Sequence, residues 1–130
     1  MELSNGAFLS GPQRKIVGNV TFKWLGGGAA LVMLQRREES RQPGAWWVFG
    51  RDDTTGEYKV LYSDDRGISR IYEMSFHNNI WKMWRDTSNF SQRFEGKVSK
   101  DMKAIDARWE KSTDNRKTWE HDFNVKYERS

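Results

Sequence analysis

Apolar and polar residues alternate along most of the chain, and a period of two is typical of β-strands that have one buried face. The cleanest example lies near the C-terminus, where Trp119, His121, Phe123, Val125 and Tyr127 alternate with charged or polar residues. A helical period of 3.6 residues is hard to find. The alternation predicts nine strands, each joined to the next by a short turn that is rich in Gly, Asp or Asn.

Regularly spaced strands with short connections predict an all-β fold with little helix, an antiparallel up-and-down barrel, because closure removes exposed sheet edges. A β-sandwich is the alternative, but it needs longer crossover connections than the sequence contains. With 130 residues and no internal boundary or repeat, the chain is expected to form a single domain over residues 1–130. The aromatic face should be buried; its predicted core residues are Trp24, Phe49, Tyr72, Phe94, Trp109 and Phe123.

Composition excludes several classes of protein. The absence of cysteine removes disulfides, thiolate metal sites and cysteine nucleophiles. No long apolar run or secretory signal is present, so we expect a cytoplasmic protein without a membrane partner. The formal charge is +4, but Lys and Arg are interspersed with acids, so nucleic acid is not expected as a partner.

Six short segments form a specific pattern between residue 12 and the C-terminus: TFKWLGGG (21–28), GRDD (50–53), YSDDRGISRIYEM (62–74), WKMWR (81–85), FSQRF (90–94) and WEKS (109–112). Together they resemble a family of bacterial calycin-like (lipocalin-like) proteins of unknown function, of the DUF1579 type. The resemblance implies a closed antiparallel barrel with an internal cavity. It implies no catalytic residues.

The N-terminus departs from this family. Such proteins usually open with a strand that carries a Gly-x-Trp motif, and residues 1–9 contain none. Either residues 2–9 supply a shortened first strand, or the strand is missing. A missing strand leaves an edge that a second copy would cover, which predicts a homodimer.

Six side chains are predicted to contact a ligand, because strand parity places them on the aromatic face. They are Arg70, Tyr72, Trp84, Gln92, Trp109 and His121. A small-molecule pocket combines apolar walls with a few polar groups, and an arginine among aromatic rings can hold a carboxylate or phenolate or stack on a flat ligand. Alternatively, Arg70 pairs with an acid at the rim and faces water. We therefore expect a binding protein for a small apolar or aromatic molecule.

The alternative functions depend on His121. On an interior face it could be the acid–base residue of an isomerase, cyclase or hydratase, with Tyr72 or Arg70 as its electrophilic partner. It could also ligate haem iron, or be a core histidine bonded to Tyr or Gln. No metal ion or other cofactor is expected, since His77 and His121 are the only imidazoles and no nucleotide or metal motif occurs.

The paired carboxylates have a structural interpretation. Asp52-Asp53 and Asp64-Asp65 lie in turns beside Gly, where Asp side chains bond to backbone amides. Glu73 is expected to form a solvated cross-strand ion pair with Arg85 or Arg93. Residues 112–119 (STDNRKTW) resemble the Asp-box hairpin, a structural motif, with Arg116 at the position that Gly usually occupies.

Overall fold

The computed structural model describes residues 1–4, 15–37 and 44–128. These residues form ten β-strands and no helix. Nine of the strands match those predicted from the alternation, and β1 is additional. The strands are β1 Glu2–Ser4, β2 Lys15–Leu25, β3 Ala30–Arg37, β4 Ala45–Arg51, β5 Tyr58–Asp64, β6 Ser69–His77, β7 Ile80–Arg85, β8 Ser91–Val98, β9 Ala104–Ser112 and β10 Glu120–Glu128.

The strands follow an up-and-down antiparallel order that is cyclic, β1-β10-β9-β8-β7-β6-β5-β4-β3-β2. Leu3 of β1 closes this order, since it is opposite Val125 of β10 on one side and Ile16 of β2 on the other. The all-β, antiparallel up-and-down barrel is therefore confirmed, with ten strands rather than nine. β1 supplies a short first strand, while residues 5–9 lie outside the described residues.

Contacts divide the chain into two compact units. We call Met1–Val17 with Ser75–Ser130 the terminal unit, and Gly18–Met74 the central unit. That the chain forms a single domain stays a prediction.

The core of the terminal unit follows from the register of β7 to β10. Met83 is opposite Phe94, Phe94 is opposite Trp109, and Trp109 is opposite Phe123. Residues that are opposite each other in an antiparallel sheet point to the same face. Gly96 leaves room for this row, because a Cβ there would lie 3.2 Å from the Phe94 ring. The result is a buried face made mainly of aromatic rings.

The core of the central unit has the same construction. Met33, Trp47, Phe49, Val60 and Tyr72 are all buried, on strands β3 to β6. Trp47 is opposite Met33 and Tyr62, while Val60 is opposite Phe49 and Tyr72. These side chains again occupy one face, as the period of two predicted.

Four of the six predicted core residues are buried: Phe49, Tyr72, Phe94 and Trp109. Phe123 is only half-buried. The prediction for Trp24 is wrong, because its side chain is 69% exposed. Trp24 pairs with Leu31 of β3 on one side, but β1 reaches only as far as residues 15–17 of β2 on the other. Among the described residues, no second strand flanks Trp24 to cover it.

Candidate functional site

The aromatic rings of the terminal unit are in contact across its buried face. Trp81 meets Phe94 edge to face at a centroid distance of 4.7 Å, and Phe94 lies 5.0 Å from Trp109. Trp109 is stacked with Phe123 at 6.2 Å. Such rings bury a large apolar area and form the kind of wall against which an apolar or aromatic ligand packs.

Beside these rings, the same face carries three polar side chains, Arg85, Gln92 and Lys111, which we call the polar row. Arg85 is opposite Gln92 in the sheet register, and Gln92 is opposite Lys111. Gln92 is only 6% exposed, whereas Arg85 and Lys111 are half-buried. Opposite residues in antiparallel strands have Cα atoms about 4.5–5.5 Å apart, so the polar row is one cluster at the end of the aromatic wall.

Within the described residues, no carboxylate neutralises the two cations of the polar row. In residues 1–4, 15–37 and 44–128, neither Arg85 nor Lys111 makes an ion pair or a side-chain hydrogen bond. The Nε atom of Arg85 is buried without an acceptor. Glu120 is opposite Lys111 in the register, but it is exposed and forms no ion pair with it. The polar row therefore presents two positive charges on a largely buried face.

Trp84 belongs to the opposite face of the terminal unit, so the prediction that it joins the buried set is wrong. It follows buried Met83 along β7 and is opposite Arg93 of β8, an exposed residue. Arg93 in turn donates from Nε and Nη2 to the two carboxylate oxygens of Glu110, each at 3.2 Å. Its guanidinium also lies 4.0 Å from the ring centroid of Trp119. This face carries a solvated ion pair and a cation–π contact.

His121 is exposed on the same outer face, so its predicted interior position is wrong. The register of β10 shifts at this point, because His121 is opposite Glu110 but Phe123 is opposite Trp109. The extra residue, Asp122, forms a β-bulge, and one inserted residue changes the face to which the preceding side chains point. His121 consequently lacks the burial on which the acid–base and haem alternatives depended.

Arg70 and Tyr72 are neighbours on the buried face of the central unit. Tyr72 is 2% exposed, and its ring centroid lies 5.6 Å from that of Trp47. Arg70 is half-buried and opposite Tyr62, whose ring is 4.5 Å from Trp47. The Trp47 indole donates a 3.0 Å hydrogen bond to Oε1 of Gln35. The structure thus groups Arg70 with Tyr72 in one unit, and Gln92 with Trp109 in the other.

Asp64 is a buried carboxylate that holds its turn together, as predicted. Oδ1 accepts hydrogen bonds from the backbone amides of Arg66 and Ile68 at 3.0 and 3.3 Å. Oδ2 accepts from the Arg66 guanidinium at 2.6 Å and from the Tyr62 hydroxyl at 2.7 Å. The hydrogen bond from Arg66, together with those from Tyr62 and the two amides, holds the pKa of Asp64 far below its usual range, whereas burial and the hydrogen bond to Asp64 raise the pKa of Tyr62.

Two other predicted turns are also confirmed. Asp52 Oδ1 accepts from the amides of Thr54 and Thr55 at 2.9 and 3.1 Å. In the Asp-box segment, Asp114 Oδ1 accepts from the Ser112 hydroxyl at 2.8 Å and from the Thr118 amide at 2.9 Å. Hydrogen bonds from Thr118 and Ser112 lower the pKa of Asp114 to about 2. These carboxylates are occupied by their own turns.

The prediction for Glu73 is wrong in its partner. Glu73 forms its ion pair with Lys59, which is opposite it on the neighbouring strand β5. Arg93 pairs with Glu110 instead, and Arg85 is left on the buried face. Arg85 and Lys111 were not among the site residues predicted from the sequence. Strand parity could have identified both, since Arg85 has the same parity as Trp81 and Met83, and Lys111 follows Trp109 by two positions.

No group of three or more His, Cys, Asp or Glu side chains within the described residues is arranged to hold a metal ion. None of those residues forms a helix that is long and apolar enough to cross a membrane. Comparison with models of known protein families gave no match, and comparison with curated proteins gave none either.

Proposed function

We propose that the protein binds a small molecule with an apolar or aromatic body, and that this molecule lies against the buried face of the terminal unit. The observation that carries this proposal is the juxtaposition of an aromatic wall, from Trp81 to Trp109, with the polar Gln92 on the same face. Ligand sites combine apolar walls with a few placed polar groups in this way. The calycin-like resemblance favours the same class of function.

The cytoplasmic location and the homodimer expected from the sequence are part of the same proposal. A chain without cysteine is compatible with a reducing cytoplasmic location. Self-association into a homodimer stays a prediction. β1 already pairs with both β2 and β10, so a second copy would have to use another surface than the β1 edge. A cavity enzyme receives no support from His121, because that residue is exposed.

Mass spectrometry of the protein under native conditions tests the proposal, since a retained ligand adds its mass to the 15.4 kDa chain. Direct titration with 1-naphthol and with 1-decanol provides the second test, followed by tryptophan fluorescence. Trp109→Phe should weaken binding of the preferred probe about three- to tenfold by changing the wall. Trp84→Phe, on the opposite face, is the matched control and should leave binding unchanged. An equal effect of both variants would contradict the proposed site.

A further inference from the structure

The polar row contains the Nε atom of Arg85, the one cationic nitrogen of the described residues that is buried without a hydrogen-bond partner. Arg66 places Nε and Nη2 on Oδ2 of Asp64, and Arg93 places the same two atoms on Glu110. Lys59 is paired with Glu73. Arg85 is more enclosed at Nε than a surface arginine would be, yet it has no such partner within the described part of the chain.

Among the described residues alone, this arrangement is unfavourable. The Arg85 guanidinium carries a positive charge, and its Nε edge is enclosed. Burying a donor without an acceptor forfeits the hydrogen bond that the donor made to water. Lys111 adds a second positive charge two positions along the same row, with Gln92 between them. An acceptor in a bound molecule would restore the hydrogen bond and compensate the charge.

The chemistry of the row selects the acceptor. The Nε edge of a guanidinium offers parallel N–H donors that match the two oxygens of a carboxylate. A metal cation would be repelled, and a neutral hydroxyl would leave the two charges uncompensated. The aromatic rings begin two residues away from the polar row, with Phe94 after Gln92 on β8 and Trp109 before Lys111 on β9. The part of the ligand that lies beyond its anionic group must therefore be apolar.

We propose that Arg85, Gln92 and Lys111 bind the carboxylate of a hydrophobic carboxylic acid, whose apolar body lies against Phe94 and Trp109. This inference rests on the proposed function and names its ligand class. Arg85 and Lys111 provide the two positive charges that hold the carboxylate, and Gln92 lies between them on the same face. The same site discriminates against the corresponding alcohols and amines.

Binding of matched probes by the full chain tests the inference. Decanoate and 1-decanol share one apolar body, as do 1-naphthoate and 1-naphthol, so each pair isolates the carboxylate. We expect the carboxylate of at least one pair to bind about tenfold or more tightly than its alcohol at pH 7. This preference should disappear as the pH falls below the carboxylate pKa of about 4–5.

Variants of the polar row test whether its two cations cause the preference for the carboxylate. Arg85→Met and Lys111→Met keep the length of the side chain and should each remove most of the carboxylate preference, while affinity for the alcohol stays within about twofold. Arg93→Met, which removes a cation from the opposite face of the same sheet, is the matched control and should change neither affinity. Lys111→Met decides the question if Arg85→Met does not fold.

The outcomes separate the inference from the proposed function. Equal binding of acid and alcohol, with both weakened by Trp109→Phe, would overturn the carboxylate assignment and leave the binding function intact. Stronger binding of decyl phosphate than of decanoate, by about tenfold, would also overturn it in favour of a phosphate ester. Binding of no probe would overturn both.

Discussion

The Tyr62 hydroxyl donates a 2.7 Å hydrogen bond to Oδ2 of Asp64, the same oxygen that accepts Nε and Nη2 of Arg66. Asp64 is nearly inaccessible to solvent, with a side chain that is 4% exposed, while that of Arg66 is 62% exposed. A buried carboxylate with this many donors is stabilised as the anion, and the neighbouring phenol is stabilised in its neutral form. The two groups therefore give the central unit opposite responses to pH.

Asp64 should make stability depend on pH on the acid side. Its pKa is lowered by folding, so its contribution is complete above the unfolded value of about 3.9 and is lost as the pH falls toward the folded value. Asp64→Asn should lower the free energy of unfolding by roughly 1.5–3 kcal/mol at pH 7 and by much less near pH 2. Urea titrations at the two pH values measure this difference. Asp65→Asn, at an exposed neighbouring position, is the control, and an equal loss in both variants would contradict the role of Asp64.

Tyr62 should make stability depend on pH on the alkaline side. Folding raises its pKa, so its neutral form contributes stability below the unfolded value of about 10, and this contribution is lost as the pH rises through the folded value. Ultraviolet titration of phenolate absorbance should show a component that ionises late or only on unfolding. Tyr62→Phe should reduce the amplitude of that component by one tyrosine, whereas Tyr58→Phe, at a residue that is 42% exposed, should not. A late component of undiminished amplitude in Tyr62→Phe would contradict the assignment.

Phe94 should be the most costly of the terminal-unit aromatics to truncate. It is 2% exposed and contacts both Trp81 and Trp109, so Phe94→Ala should lower the free energy of unfolding by about 3–5 kcal/mol. Phe123→Ala should cost less, because that side chain is only half-buried. Chemical denaturation measures both, with Ile71→Ala at a 59% exposed position as the control. A loss below about 1 kcal/mol for Phe94→Ala would mean that its face is not buried.

Replacement of Arg116 by glycine should stabilise the protein. Its φ of +66° lies in the left-handed region, which costs an L-residue about 1–2 kcal/mol and costs glycine nothing. Its contacts with Thr87 and Ser91, at 3.4 and 3.5 Å, are too long to offset this cost. Arg116→Gly should therefore raise the free energy of unfolding by about 0.5–1 kcal/mol. Lys117→Gly should lower it, and thermal unfolding that ranks the two variants the other way would count against this account of the turn.

His121→Phe should have little effect. The imidazole is exposed, so stability should change by less than about 0.5 kcal/mol, and affinity for decanoate should be unchanged. Hemin should give no His121-dependent Soret band. A tenfold weaker ligand affinity in the variant, or a Soret band that only the wild type shows, would return His121 to the functional site.

The period of two in the sequence was sufficient to locate nine of the ten described strands. Trp81, Met83 and Arg85 alternate with Lys82 and Trp84, and the structure keeps these two sets on opposite faces. The turn at Asp64 and the Asp-box at Ser112 were also predictable. Their hydrogen bonds join residues only two to four positions apart, so they depend on local sequence.

Which face each set occupies, and which partners its charges find, was decided only by the tertiary structure. A bulge at Asp122 moves His121 to the outer face. No local pattern predicts this bulge, because the alternation of residue types continues through Asp122. Trp24 has the parity of a core residue but is exposed, because cover depends on a neighbouring strand. Lys59 pairs with Glu73, and Arg93 with Glu110, across neighbouring strands. The paired residues are 14 and 17 positions apart in the sequence. Arg85 keeps its parity with Met83 but finds no carboxylate within the described residues, since pairing is set by the register of whole strands rather than by any residue's own type.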